Sequence, residues 1–266
     1  MTHAQTTTPR WAVILGASSG FGEACARALA AAGYDICGVH LDRKAGLERV
    51  EEIKGHITGH GRRAAFFNIN AADESKRRDV VEAMAQELAN SGGTVAVLMH
   101  SLAFGTLKPY LGDDPLTKAN IEMTLDVMAH SLVYWAQDLV QRGLMGRGGR
   151  VFAMTSSGST RVIPSYGAIS AAKCALESHT RQLAVELAPR GITVNALRGG
   201  VTDTPAARKI PGSDRLFEEA SRRNPGGRLT TPDDVARAVV ALSVPGTDWI
   251  TGNVVNVDGG EEVSGG

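Results

Sequence analysis

The run "WAVILGASSGFGEACARALAAAG", Trp11 to Gly33, decides the fold. Its first five residues are apolar without alternation, as a strand covered on both faces requires. Gly16, Gly20 and Gly22 follow at once, and the alanine-rich stretch beyond them reads as a helix that Gly33 closes. A strand that turns through glycines into a helix presents backbone amides at a helix N-terminus. There the helix dipole favours an anion, and the missing side chains let a pyrophosphate come close. A glycine-rich turn alone would say little. Set between a buried strand and a capped helix it predicts dinucleotide binding, with Gly16, Ser18, Ser19, Gly20, Phe21 and Gly22 around the phosphates.

The alternation continues along the chain. "YDICGVHL", "AAFFNI", "TVAVLM", "RVFAMT", "ITVNAL" and "GNVVNVDGG" read as strands. Between them "RKAGLERVEEIKGHI", "ESKRRDVVEAMAQELANSG", "NIEMTLDVMAHSLVYWAQDLVQRGL", "GAISAAKCALESHTRQLAVELAPRG" and "PDDVARAVVALSV" read as helices. This pattern predicts an α/β fold: a Rossmann-like, doubly wound parallel sheet of about seven strands with helices on both faces. No composition break, repeat or linker divides the 266 residues, so one domain, 1–266, is expected.

Composition narrows the function. The 28 basic and 28 acidic residues balance and form no basic block, which leaves nucleic-acid binding without support. Cys25, Cys37 and Cys174 lack metal-ligand spacing and read as thiols in a reducing compartment, with no metal site. The start, "MTHAQTTTPR", has no apolar signal core, and no apolar run approaches the roughly 20 residues that span a bilayer. A cytoplasmic location without membrane association is the expectation.

A second stretch, "PSYGAISAAK", holds Tyr166 and Lys173, seven positions apart. Seven helical steps turn about 700°, so both side chains share one helix face about two turns apart. The residue four before Lys173 is Ile169, which carries no exchangeable proton.

The spacing GxxxGxG resembles that of the short-chain dehydrogenase/reductase superfamily, and the likeness covers nearly the whole chain. It implies adenine contacts from Asn70 and Ala71 after the third strand, and cofactor contacts from Ser101, Leu102 and Ala103 in "MHSLAFG". It also implies a nicotinamide loop in "GGVTDT", through Gly200, Val201, Thr202 and Thr204, with "VDGG" closing the fold. The family's acidic position after the second strand is His40, followed by Asp42, Arg43 and Lys44. With the acid displaced and two bases adjacent, NADPH is the expected cofactor; Asp42, within reach of a ribose, leaves NADH open.

Ketone-reducing members of that superfamily pair a tyrosine with a lysine four positions on. The Tyr-x6-Lys spacing and the "HS-apolar-AF" motif instead resemble the bacterial enoyl-acyl-carrier-protein reductases, of the NADPH-preferring type. The resemblance implies reduction of the C=C bond of an enoyl thioester. A ketone takes hydride on the carbon that bears its oxygen, whereas an enoyl thioester gathers charge on an oxygen two atoms away, so a displaced phenol suits the latter. Tyr166 would steady that oxygen, and Lys173 would hold the nicotinamide ribose and favour the phenolate. Ser156, ten residues before Tyr166, occupies a position where the commonest enoyl reductases carry a second tyrosine. It either touches substrate or hydrogen-bonds local backbone. A helix asparagine of ketone-reducing members is replaced near Met128.

Further expectations follow from the same resemblance. The substrate is a small acyl thioester, free or on acyl carrier protein, and the assembly is a homotetramer through the long helices after strands four and five. Residues 205–227 read as a substrate lid, helical in "DRLFEEASRR", with Leu216 and Phe217 toward an acyl chain. Arg222 and Arg223 read as a solvated face. His100 and Ser101 are expected along the cofactor cleft through their backbone, and His130 in a helix interface. The rival readings are a carbonyl reductase or alcohol dehydrogenase, and a non-catalytic nucleotide-binding regulator.

Overall fold

The computed structural model describes residues 8–264. Residues 1–7 of the start read above lie outside them. Seven strands form one parallel sheet: β1 Arg10–Leu15, β2 Asp35–His40, β3 Ala64–Asn68, β4 Thr94–His100, β5 Arg150–Thr155, β6 Thr193–Gly199 and β7 Val254–Val257. Their order is β3-β2-β1-β4-β5-β6-β7, and every neighbouring pair is parallel. The strand order reverses between β1 and β4, which opens a crevice at the carboxyl ends of the strands.

Among the described residues there are eight α-helices: α1 Gly20–Ala31, α2 Leu47–Gly59, α3 Glu74–Ser91, α4 Lys118–Leu125, α5 Ser131–Gln141, α6 Gly167–Leu187, α7 Ser213–Arg223 and α8 Pro232–Leu242. Each face has its own core. Trp11, Val13 and Leu15 of β1 pack with α3, α5 and α6 on one side, while Ala12 and Ile14 pack with α1 and α8 on the other. Burial of β1, β2 and β5 on both faces explains why their sequences show no alternation.

One expected helix is interrupted. The run from Asn120 to Leu144 is α4 and α5 joined by a π-helical segment, Asp126–His130. Ser131 Oγ donates back to Val127 O at 2.7 Å, and Met128 is buried. Such a widened turn is a recognised cause of local bending. His130 sits in a helix interface as expected, with Nδ1 2.9 Å from Nε2 of His179 on α6.

Candidate active site

The turn after β1 is built by close approach of backbone to backbone. Gly16 has φ +87°, and a Cβ there would lie 2.4 Å from Ser101 O; a Cβ on Gly22 would lie 2.0 Å from Gly16 O. Both the Gly16 and Ala17 amides donate to Val39 O, and Ser101 N donates to Leu15 O, tying the turn to β2 and β4. Ser19 precedes α1 in extended conformation without capping it through its side chain. Glycines that nothing larger can replace, at the mouth of the crevice and ahead of a helix N-terminus, fit a pyrophosphate.

A cavity of about 620 Å³ runs from this turn to α7. Every residue expected at the site borders it except Gly22, Arg43, His100 and Phe217. Gly22 acts instead through the contact of α1 with the turn. Arg43 is exposed, because the chain after β2 leaves the crevice in extended conformation at φ −78°, ψ 168°. Asp42 stays in the wall. Its Oδ2 lies 2.9 Å from His40 Nδ1, and its backbone is clamped at both N and O by the Asn68 side chain, at 3.0 and 2.9 Å. Asn70 accepts from Ala72 N, and Trp135 Nε1 donates to Ala71 O, which fixes the segment after β3.

At the opposite end Tyr166 is not within the helix, as the spacing argument assumed. It is the N-cap of α6, with φ −97° and ψ 4°. Ser165 before it has φ +59°, a strained value for a residue with a side chain, and this kink delivers the phenol into the cavity. The ring lies over Gly158, where a Cβ would come 2.5 Å from its Cε1. Ile169 borders the same cavity as an apolar wall.

The electrostatics correct one expectation. Burial raises the Tyr166 phenol above its ordinary value, with Ser156 pulling weakly the other way. This direction is opposite to the lowering expected from Lys173. Lys173 is buried, its Nζ donating to Met154 O at 2.7 Å and lying 3.5 Å from Leu102 O; burial pulls it down to about 8 against the opposing charge of Glu177. Ser156 Oγ accepts from Gly158 N at 2.9 Å, so its local backbone contact is real, and the residue also borders the cavity.

His100 departs from expectation. It lies beneath the cleft, wholly buried, with Nε2 2.9 Å from Ser131 Oγ, and burial pushes it down to about 3. Ser101 does border the cavity. Within 205–227, Leu216 faces the cavity, whereas Phe217 lies outside it under the Arg208 guanidinium, 5.9 Å from the ring centre. Arg223 is no solvated residue: it borders the cavity and binds the buried Glu261 at 3.0 Å, while Arg222 is exposed. Glu261 Oε2 also accepts from Val201 N at 3.0 Å, which joins α7 to the loop expected to meet the nicotinamide.

Sequence reading missed the charges behind the site. Glu177 accepts from Thr155 Oγ1 at 2.6 Å and Ser159 Oγ at 2.8 Å, and Arg198 Nη2 reaches it at 3.3 Å. Arg198 also lies 3.7 Å from Glu262, which in turn meets Arg161 at 3.3 Å on the cavity wall. Two signals were available: Arg198 interrupts an apolar strand, and Glu177 follows Lys173 by one helical turn.

The sequence model of the enoyl-(acyl carrier protein) reductase family matches residues 16–262. The chain belongs to this family of short-chain dehydrogenases/reductases. It is 31% identical to the enoyl-[acyl-carrier-protein] reductase [NADH] of Aquifex aeolicus over 182 residues, 67% of this chain and 66% of that protein. The crystal structure of that reductase superimposes with TM-score 0.81 and 26% identity, covering 97% of this chain and 98% of that one. The chain is also 31% identical to the 1-cyclohexenylcarbonyl-CoA reductase of Streptomyces collinus (97% of this chain, 89% of that protein). It is 30% identical to the galactitol 2-dehydrogenase (L-tagatose-forming) of Cereibacter sphaeroides (95% of this chain, 94% of that protein). The family member described here is thus a nicotinamide-dependent oxidoreductase. Among the described residues no helix is long and apolar enough to cross a membrane.

Proposed function

We propose that this oxidoreductase reduces the C=C bond of an enoyl thioester. One observation carries the reading: Ile169 closes the wall four positions before Lys173, and the phenol in the cavity, Tyr166, comes from the turn ahead of α6. A donor displaced in this way suits the oxygen of a conjugated thioester better than an oxygen on the carbon being reduced. The nicotinamide, when bound, would supply the hydride, and solvent would then supply the proton that completes reduction at the α-carbon. The chain's own residues do the rest. The glycine turn and α1 hold the pyrophosphate, Lys173 donates toward the ribose, and Thr204 with Val201 orients the carboxamide. The protonated Tyr166 hydroxyl donates to the thioester oxygen as charge gathers there, and Ser156 supports that hydroxyl. Residues 205–227 cover the acyl group through Leu216 and exclude water.

For the adenosine end, a carboxylate fixed in the wall by His40 would repel a 2′-phosphate, and Arg43 stands outside. This favours NADH over the NADPH expected from sequence. Likeness to reductases of enoyl-acyl-carrier-protein and cyclohexenylcarbonyl-CoA supports a thioester substrate, free or carrier-bound. Likeness to galactitol 2-dehydrogenase keeps a second reading, carbonyl reduction with Ser156 as partner donor. The test is turnover of crotonyl-CoA beside acetoacetyl-CoA, with each reduced cofactor. The proposal expects oxidation of the cofactor by the first alone; turnover of the ketone alone rejects it.

A further inference from the structure

Lys173 is a buried cation whose two hydrogen-bond acceptors are backbone carbonyls. Among the described residues no carboxylate comes within salt-bridge reach of it, although a buried charge is costly unless an opposite charge compensates. The compensation comes from one turn along the same helix face. Glu177 is nearly as buried, with a side chain 12% exposed, and its Oε1 gathers Thr155 Oγ1, Ser159 Oγ and Arg198 Nη2. Thr155 and Ser159 flank Ser156, so one carboxylate ties the turn that carries Ser156 to the helix that carries Lys173. Arg198 and Glu262 extend the line to Arg161, so charges alternate from Lys173 to the far wall of the cavity.

We propose that Glu177 is a positioning residue of the reductase centre: it holds the Ser156 turn through Thr155 and Ser159, and it supplies the negative charge that the buried Lys173 ammonium otherwise lacks. Arg198 tempers that charge. Of the titratable groups around Lys173, His100 from β4 and Glu177 from α6 act on its charge, and Arg198, Glu262 and Arg161 act on Glu177 in turn. His100 is held neutral by burial, so across the neutral and alkaline range Glu177 and Arg198 are the charges that act.

The test is the affinity of the full chain for reduced cofactor, read by nicotinamide fluorescence from pH 6 to 10, with thermal unfolding alongside. In the natural protein affinity weakens above about pH 8 as Lys173 loses its proton. Glu177→Gln moves that midpoint down by about one pH unit, and Glu177→Asp, which keeps the charge, returns it. Arg198→Gln moves it up. An unmoved midpoint in Glu177→Gln, or an equal shift in the Gln and Asp variants, overturns the proposal. If Glu177→Gln does not fold, Arg198→Gln decides alone: an upward shift supports the proposal, and no shift or a downward one overturns it. The inference rests on the reductase reading for the place of Lys173 beside the cofactor. Because the readout uses no acyl substrate, a chain that reduced only ketones would sink the enoyl reading and leave this one standing.

Discussion

The two ends of the cavity are held in shape by different physics. At the glycine-turn end, seven consecutive residues, Gly16 to Gly22, make the turn, and a Cβ on Gly22 or Gly16 would lie 2.0 or 2.4 Å from the backbone oxygen of Gly16 or Ser101. The Tyr166 end is assembled from β5, the cap of α6, β6, α7 and the C-terminal segment, and charges hold its parts together. A steric constraint on backbone packing is strict and shows in a short motif. An electrostatic constraint among distant segments is graded, and each pair in it looks ordinary in sequence.

Substitutions should expose this difference, the largest effect first. Gly22→Ala or Gly16→Ala should abolish cofactor binding by fluorescence titration. Gly22→Ala should also cost about 3 kcal/mol or more, a fall in Tm of at least about 6 °C by calorimetry. A stable, cofactor-binding Gly22→Ala protein would break the steric half of the comparison. Tyr166→Phe should lower kcat about 10²- to 10³-fold while cofactor affinity stays within about twofold, since one donor to a developing oxyanion is lost. An equal loss of cofactor affinity would mean that the phenol serves binding rather than the transition state.

Smaller effects sharpen the contrast. Asp42→Ala should shift preference from NADH toward NADPH about tenfold, read as the ratio of kcat/KM values, because one charge-assisted contact is exchanged for relief of repulsion. A separate test is acid stability. His100 is held down to about 3 against an ordinary 6.5, so the unfolded chain binds the extra proton between those values. Stability should therefore be complete above pH 6.5 and fall as pH drops toward 3. His100→Gln should flatten that part of the Tm–pH curve.

Nearly all strands and helices were legible, because buried parallel strands, alanine-rich helices and glycine turns declare themselves over short windows. The π-helical segment at Asp126–His130 was not, because nothing in it, the Ser131 back-bond included, alters helical periodicity. Nor was the displacement of Tyr166 from the helix, which needs the positive φ of Ser165. Arg223 looked solvent-facing because its partner Glu261 lies 38 residues away. Arg43 looked like a phosphate ligand because adjacency in sequence hides the direction in which an extended segment leaves the sheet.

The account turns on where the Tyr166 hydroxyl meets the substrate. A crystal structure of the ternary complex with oxidised cofactor and crotonyl-CoA measures this directly. The prediction is a Tyr166 Oη within hydrogen-bond distance of the thioester oxygen, with the β-carbon over the nicotinamide. A hydroxyl turned from the acyl group, or seated against the β-carbon itself, contradicts it.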